Sequence, residues 1–423
     1  MNTKLHGRMW LLAAAATVAA TGLARADTTD QKWQDTVRVA KTGDHCVDDR
    51  NCFNRYHYAI KPAARAKPGQ MIVFETRDAL DSDLKLDSVP ADVTAVDLNL
   101  VHPMTGPVHI EGARRGDVLV VELVDIAPDE YGYTVIVPGF GFLRDIYTEP
   151  YVVNWKLTRL AATSEQMPGV RVPMAAFMGS VGVLPGEPEA RAWLARESNL
   201  GAVGGVALPP QPVGALPADV CGPNGSGKDL CLRTIPPREN GGNMDVQQMQ
   251  IGTRLMLPCF IDGCGLFVGD VHYAQGDGEV SGTAIEMGAV VTVRTAILRG
   301  KGRDITSPHF EGGAQLKYIA PARFYATVGF PLKASGTIPP THTYIDGERI
   351  ASLENLSEDL SLAARNALLE MIAYLKREKG LNSEQAYILS SVAVDLVVGQ
   401  VVDVPNYTVS AIIDLDVFEG DDE

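Results

Sequence analysis

The chain has 423 residues, 46% of them hydrophobic, and a formal charge of −15 at neutral pH. A chain of this length can bury a large core and is expected to form two or more subdomains. Its acidic surface repels phosphate backbones and no basic stripe interrupts it, which sets nucleic acid aside as a partner.

Residues 1–26 read as a leader. Lys4 and Arg8 form a positive n-region, Trp10 to Leu23 is apolar, and Ala24-Arg25-Ala26 is an A-x-A cleavage site, so the mature chain is expected to start at Asp27. No twin-arginine pair is present, so export is expected in the unfolded state, to the periplasm or beyond. No later stretch approaches ~20 uninterrupted apolar residues, so no membrane contact is expected after cleavage.

Six cysteines fall into three local pairs: Cys46 with Cys52, Cys221 with Cys231, and Cys259 with Cys264. In an exported protein they read as disulfides, and short loops close with the least entropy loss. A zinc–thiolate site is the rival, but no pair has the C-x-x-C spacing.

The 41 glycines and 26 prolines break the chain into short runs, many of them β-like. We divide it into an N-terminal β domain (27–185), a Pro/Gly-rich surface excursion (186–235), a central β region (236–340) and a C-terminal α+β module (341–423). Val96 to Val101 is strand-like, and Val118 to Ile126 is a buried strand after the Arg115-Gly116-Asp117 turn. Gly222 to Lys228 imitates a phosphate-binding loop, but Asp229 stands where the magnesium-binding hydroxyl belongs. Asp262-Gly263, between two apolar runs, signals a hairpin. Ala289 to Leu298 is a further strand. Ser357 to Lys379 has helical periodicity and Gly380 stops it. Asn382 with Gln385 starts a second helix as a capping box, and Val401 to Phe418 returns to strand. The expected fold is mainly β, with sandwich or barrel-like halves and a C-terminal α+β part. An edge-rich β protein of this kind is also a candidate homo-oligomer.

The densest chemistry lies between Gly269 and Met287, where Asp270, His272, Asp277, Glu279 and Glu286 crowd one glycine-rich segment. On a strand, Asp270 and His272 at i and i+2 share a face. A carboxylate beside an imidazole suits a metal or an acid/base pair. The bland alternative is a polar hairpin with solvated acids.

This segment resembles the signature of the acetamidase/formamidase family. Further blocks carry the same resemblance: Ile72 to Asp78, His102 to Glu122 (with Thr105-Gly106-Pro107 and Glu111-Gly112-Ala113) and Thr234 to Asp245 (with Pro237-Arg238-Glu239-Asn240-Gly241-Gly242-Asn243). The resemblance implies hydrolysis of a small linear amide to carboxylate and ammonia. It places His102 near the active region and matches Asp87-Ser88 to a family block.

No Gly-x-Ser-x-Gly elbow is present, and every cysteine has an oxidised partner in reach. Water activated by a metal or a carboxylate remains. The expected metal is divalent, zinc by preference, held by Asp270 and His272 with Asp87 as third ligand. Glu279 is the expected base, with Asp277 and His102 as further catalytic candidates. Asn243 and the Gly241-Gly242 backbone are expected to hold the carbonyl oxygen, and Glu286 the substrate NH2. The alternative is an exported solute-binding protein without turnover, which the absence of ammonia release from formamide and acetamide would reveal.

Overall fold

The computed structural model describes residues 36–419 apart from 203, 205, 313–322, 346, 402, 403 and 405. The leader lies outside the described residues. Thr36–Glu423 forms one compact unit. Among the described residues no helix is long and apolar enough to cross a membrane.

Two sheets form the body. The first has six strands in the order Val37–Val39, Met71–Thr76, Ala289–Leu298, Val118–Pro128, Arg254–Pro258 and His309–Glu311. Its centre is the antiparallel pair of Ala289–Leu298 with Val118–Pro128, in register from Ala289 opposite Pro128 to Leu298 opposite Val118, with one bulge. Ala289, Val291 and Val293 alternate with outward residues, so one face of the strand enters the core.

The second sheet has eleven strands. Tyr131–Ile136, Glu286–Met287, Leu266–His272 and Phe177–Val183 lie side by side, and Gly241–Asn243 ends the path beyond Phe177–Val183. Met104–Ile110 also pairs with Leu266–His272. Phe74, Val121 and Val291 of the first sheet join Trp155, Val181 and Val268 of the second in one buried apolar cluster. Removing each such side chain from water contributes about 1.5–3 kcal/mol. This is the sandwich-like, mainly β body expected.

The C-terminal region has the expected mixed character. Helix Leu360–Glu378 starts at Asp359, whose side chain accepts from Leu362 N at 2.9 Å. It packs on a three-stranded sheet of Phe324–Gly329, Thr408–Asp414 and Val394–Gln400. Helix Ser383–Ala393 starts with the Asn382/Gln385 capping box. After this helix the described residues form two strands, Val394–Gln400 and Thr408–Asp414, rather than one run from Val401.

Three local expectations are corrected. Asp262-Gly263 does not close a hairpin, because Arg254–Pro258 and Leu266–His272 belong to different sheets. Gly263, Cys264 and Gly265 all have left-handed φ (+78°, +56° and +74°). The turn bonds sideways instead, Gly263 N to Ala113 O at 2.9 Å, and carries the chain between sheets. Val96 to Val101 forms turns, not a strand. The excursion after 185 contains a helix, Glu187–Ala202, that its Gly and Pro content hides.

The cysteines pair as expected, Cys46–Cys52, Cys221–Cys231 and Cys259–Cys264. The disulfide Cys221–Cys231 closes the phosphate-loop look-alike, and Lys228 Nζ bonds within that loop to Pro223 O, at 3.4 Å.

Candidate active site

Strand Leu266–His272 supplies Asp270 and His272 to the middle of the second sheet. His272 pairs with Phe177 on one side and Glu286 on the other. His272 Nε2 lies 3.3 Å from Asp270 Oδ1, 3.4 Å from Glu286 Oε2 and 4.0 Å from Asp245 Oδ1. Asp270, His272 and Glu286 are buried, while Asp245 and Glu279 are half-buried. Asp245, Asp270 and Glu279 all take left-handed φ (+51°, +50° and +44°), a conformation that carbon-bearing side chains seldom adopt.

The tautomer of His272 follows from its neighbours. Gln275 Nε2 donates to Asp245 O at 2.8 Å, which turns Gln275 Oε1 toward His272 Nδ1, also at 2.8 Å. Nδ1 therefore carries a proton and donates, which leaves Nε2 to face the carboxylates. Room for the ring comes from Gly179. A Cβ there would meet His272 Cε1 at 2.6 Å and Asp270 O at 2.7 Å.

The donor set fits a divalent cation. Asp245 Oδ1, Asp270 Oδ1, His272 Nε2 and Glu286 Oε2 are all buried without a hydrogen-bond partner. Two triads, Asp270–His272–Glu286 and Asp245–His272–Glu279, each bring their ligand atoms within 4.8 Å of one another. Separations of 3.3 and 3.4 Å are too long for charge-assisted hydrogen bonds. They match the about 3.4 Å between two ligands of a tetrahedral zinc with bonds of ~2.0–2.2 Å. Nitrogen and carboxylate donors without thiolate suit zinc or a similar ion.

Electrostatics lead the same way. Burial, then the neighbouring acids, pushes Glu286 well above the usual carboxylate range, and Asp245 likewise. Burial and the Glu286 and Asp270 charges push Glu279 up to about 8 against the pull of His272. Burial would raise Asp270 too, but His102 and His272 hold it well below the ordinary value. Burial opposes charge on His272, yet Glu286 and Asp270 raise its pKa well above normal. A cluster this rich in carboxylates needs positive charge, from protons or from a cation.

Asp87 does not join the group. It is exposed, and the buried position beside it belongs to Ser88, whose Oγ accepts from Lys85 N at 2.9 Å. Glu286 moves from substrate anchor to the metal-competent set, since Oε1 accepts from Ala284 N at 2.8 Å and Oε2 faces His272. Asp277 turns away from the cluster, accepting from Gln248 Nε2 at 3.2 and 3.3 Å. Asn243 Oδ1 accepts from Ser180 Oγ at 2.9 Å, and the same hydroxyl lies 3.3 Å from Asp270 Oδ2. Gly242, at φ +91°, lies over Tyr56, where a Cβ would be 2.9 Å from the hydroxyl. The Nδ1 of His102 is buried without a partner, and burial followed by the His272 and Arg233 charges lowers its pKa despite Asp270, so the ring is neutral.

The turn bearing Glu279 is buttressed from the C-terminal helix. Gly276 N donates to Ser391 O at 2.9 Å, and Ser281 N to Ser391 Oγ at 3.0 Å. Tyr387 OH donates to Val280 O.

Asp245, Gly179, Ser180 and Gln275 were not singled out in the sequence. Asp245 had a signal there as the last residue of the Thr234 to Asp245 block, and Gln275 as a member of the Gly269 to Met287 segment.

A model of the acetamidase/formamidase family matches residues 39–420. The chain is 33% identical over 362 residues to an acetamidase of Mycolicibacterium smegmatis, covering 79% of this chain and 84% of that one. The chain belongs to the acetamidase/formamidase family. It is also 30% identical over 393 residues to a formamidase of Methylophilus methylotrophus, covering 88% of this chain and 91% of that one. Among solved structures, a gamma lactamase from Delftia acidovorans superposes with a TM-score of 0.81 at 29% identity, over 90% of this chain and 93% of that one. The family member described here is therefore an amidase, acting on non-peptide C–N bonds, and a solute-binding role without turnover has no support among these relatives.

Proposed function

We propose that this amidase hydrolyses a small linear amide outside the cytoplasm, using a divalent metal held by Asp270, His272 and Glu286 and a carboxylate base, Glu279. The observation that carries the reading is the convergence of His272 Nε2 with the partnerless oxygens of Asp270 and Glu286 at 3.3 and 3.4 Å. When bound, the metal supplies Lewis acidity that polarises the amide carbonyl and acidifies water.

The chain's own groups do the rest. Gln275 fixes the His272 ring by taking its Nδ1 proton in a hydrogen bond. Glu279 accepts a proton from water at its carboxylate and returns it to the departing nitrogen. Its pKa of about 8 before any cation is bound makes it a stronger base than an exposed glutamate. Ser180 holds Asn243 by its Oδ1, leaving Nδ2 to donate to the carbonyl oxygen of the substrate. Neutral His102 offers Nδ1 to the amide. A cleft of about 500 Å³, lined by Arg238, Glu239, Met244 and Phe310, borders the loop that carries Asp245 and is the proposed approach. The leader and three disulfides support an oxidising compartment.

A second reading, hydrolysis of a cyclic amide, is favoured by the likeness to the gamma lactamase. The deciding experiment offers purified mature protein formamide, acetamide and a five-membered lactam, following ammonia release and ring opening with and without chelator. Ammonia from the linear amides, lost on chelation and regained with zinc, supports the first reading. Ring opening alone supports the second. Full turnover by metal-free protein overturns the metal-assisted mechanism.

A further inference from the structure

Four consecutive carbonyls on the approach to His102 are each met by a different side chain. Leu98 O accepts from Arg233 Nη2 at 2.9 Å, and Asn99 O from Arg55 Nη2 at 2.9 Å. Leu100 O accepts from Asn54 Nδ2 at 3.3 Å, and Val101 O from Thr234 Oγ1 at 2.9 Å. The same Thr234 hydroxyl accepts from His102 N at 2.6 Å, so it grips both polar groups of one peptide unit. These residues have no helix or strand to satisfy their backbone, and the side chains take over that task.

The donors stand on a small ladder of their own. Arg55–Tyr56 pairs with Leu232–Arg233, placing Arg55 opposite Arg233. Both arginines are buried. Burial and then the Arg233 charge lower the Arg55 pKa to about 10. Burying two like charges is a costly way to tie down a loop that water could solvate. The ladder is itself anchored: Asn54 Oδ1 accepts from Leu216 N at 2.7 Å, and the Cys221–Cys231 disulfide ends immediately before Leu232.

We propose that Asn54, Arg55, Arg233 and Thr234 are positioning residues for amide hydrolysis, fixing the Leu98–Val101 backbone that leads into His102, two residues before Met104, which pairs with Gly269 on the strand of Asp270 and His272. The inference rests on the reading of His102 as a group that faces the substrate.

The test compares Thr234→Val, Thr234→Ser, Arg233→Met and His102→Ala in the full mature chain. It measures kcat, KM, metal content and hydrogen–deuterium exchange over residues 98–105. Thr234→Val keeps the shape and removes the hydroxyl. It is expected to speed exchange in that segment and lower kcat by about 10–100-fold with KM and metal unchanged, because small misplacements near the reacting groups are costly. Thr234→Ser is expected to restore both. Wild-type kcat in Thr234→Val beside an inactive His102→Ala overturns the clamp and leaves the His102 reading standing. Full turnover in His102→Ala overturns both. If Thr234→Val does not fold, Arg233→Met decides: lower kcat with faster exchange supports the clamp, and wild-type kcat with faster exchange overturns it.

Discussion

Helix Ser383–Ala393 and the Gly276–Thr283 turn touch each other yet are built on opposite rules. The helix starts by local rules. It opens with a capping box, and Tyr387, Ile388, Leu389 and Val392 are buried. The turn places Glu279 at φ +44° and brings its carboxylate to His272, in a centre where Asp245, Asp270 and Glu286 each keep one oxygen without a hydrogen-bond partner. The regular element satisfies the irregular one, with Ser391 and Tyr387 taking up the hydrogen bonds of the turn. Local rules are kept where the chain builds a scaffold and broken where it holds chemistry.

The largest break in that contrast should come from His272→Ala. It removes the one nitrogen that both ligand triads share. Metal content by elemental analysis and ammonia release should both fall to background, with the far-UV spectrum unchanged. Stoichiometric metal in this variant would place the ion elsewhere.

Glu279→Gln should separate chemistry from assembly. The Asp270–His272–Glu286 triad remains, so metal should stay while turnover drops ~10²–10⁴-fold. The base acts deprotonated, so the wild-type rate should rise with pH through the pKa of Glu279. That pKa is about 8 without a cation, and a bound cation moves it lower. The rising limb should therefore have an apparent pKa no higher than about 8 and vanish in Glu279→Gln. A limb that persists in the variant belongs to another group.

Gly179→Ala probes the space instead of the charge. The new Cβ would press on the His272 ring at 2.6 Å and on Asp270 O at 2.7 Å. The neighbouring atoms are strand backbone and a buried ring, so relief requires a shift of the metal-competent residues. A stability loss of about 1–3 kcal/mol is expected by chemical denaturation, with turnover reduced about 10–100-fold. Unchanged turnover would mean that the ring has more freedom than its packing suggests.

The same contrast governs what the sequence could reveal. Asn382 with Gln385, the alternation from Ala289 to Leu298 and the Asp359-capped helix are local patterns, and they were readable because contacts within a few residues decide them. Asp270 and His272 were readable because they stand two residues apart in one strand, although the left-handed φ of Asp270 adds a local twist that spacing does not show. Asp245 was not singled out, because its place depends on how Gly241–Asn243 pairs with Phe177–Val183. Gly179 has no chemistry of its own, and only the ring opposite gives it meaning. Asp87 misled because a carboxylate in a matching block says nothing about burial, which Ser88 takes instead. The Asp262-Gly263 turn misled because a hairpin and a crossover between sheets share the same turn residues.

Asp277→Asn should have the smallest effect and draws the boundary of the site. Asp277 lies in the same glycine-rich turn as Glu279, two residues away, and the sequence makes it a further catalytic candidate beside that base. The structure separates them. The carboxylate of Asp277 accepts from Gln248 Nε2, and its backbone N donates to Asp395 Oδ1 at 3.0 Å, both outside the metal-competent groups. Asparagine keeps the shape and can still accept one of those bonds. Turnover within about twofold of wild type and a stability change of about 1 kcal/mol or less are expected. A loss approaching that of Glu279→Gln, with metal retained, would show that the catalytic turn works as a pair of acids and would shift the base assignment toward Asp277.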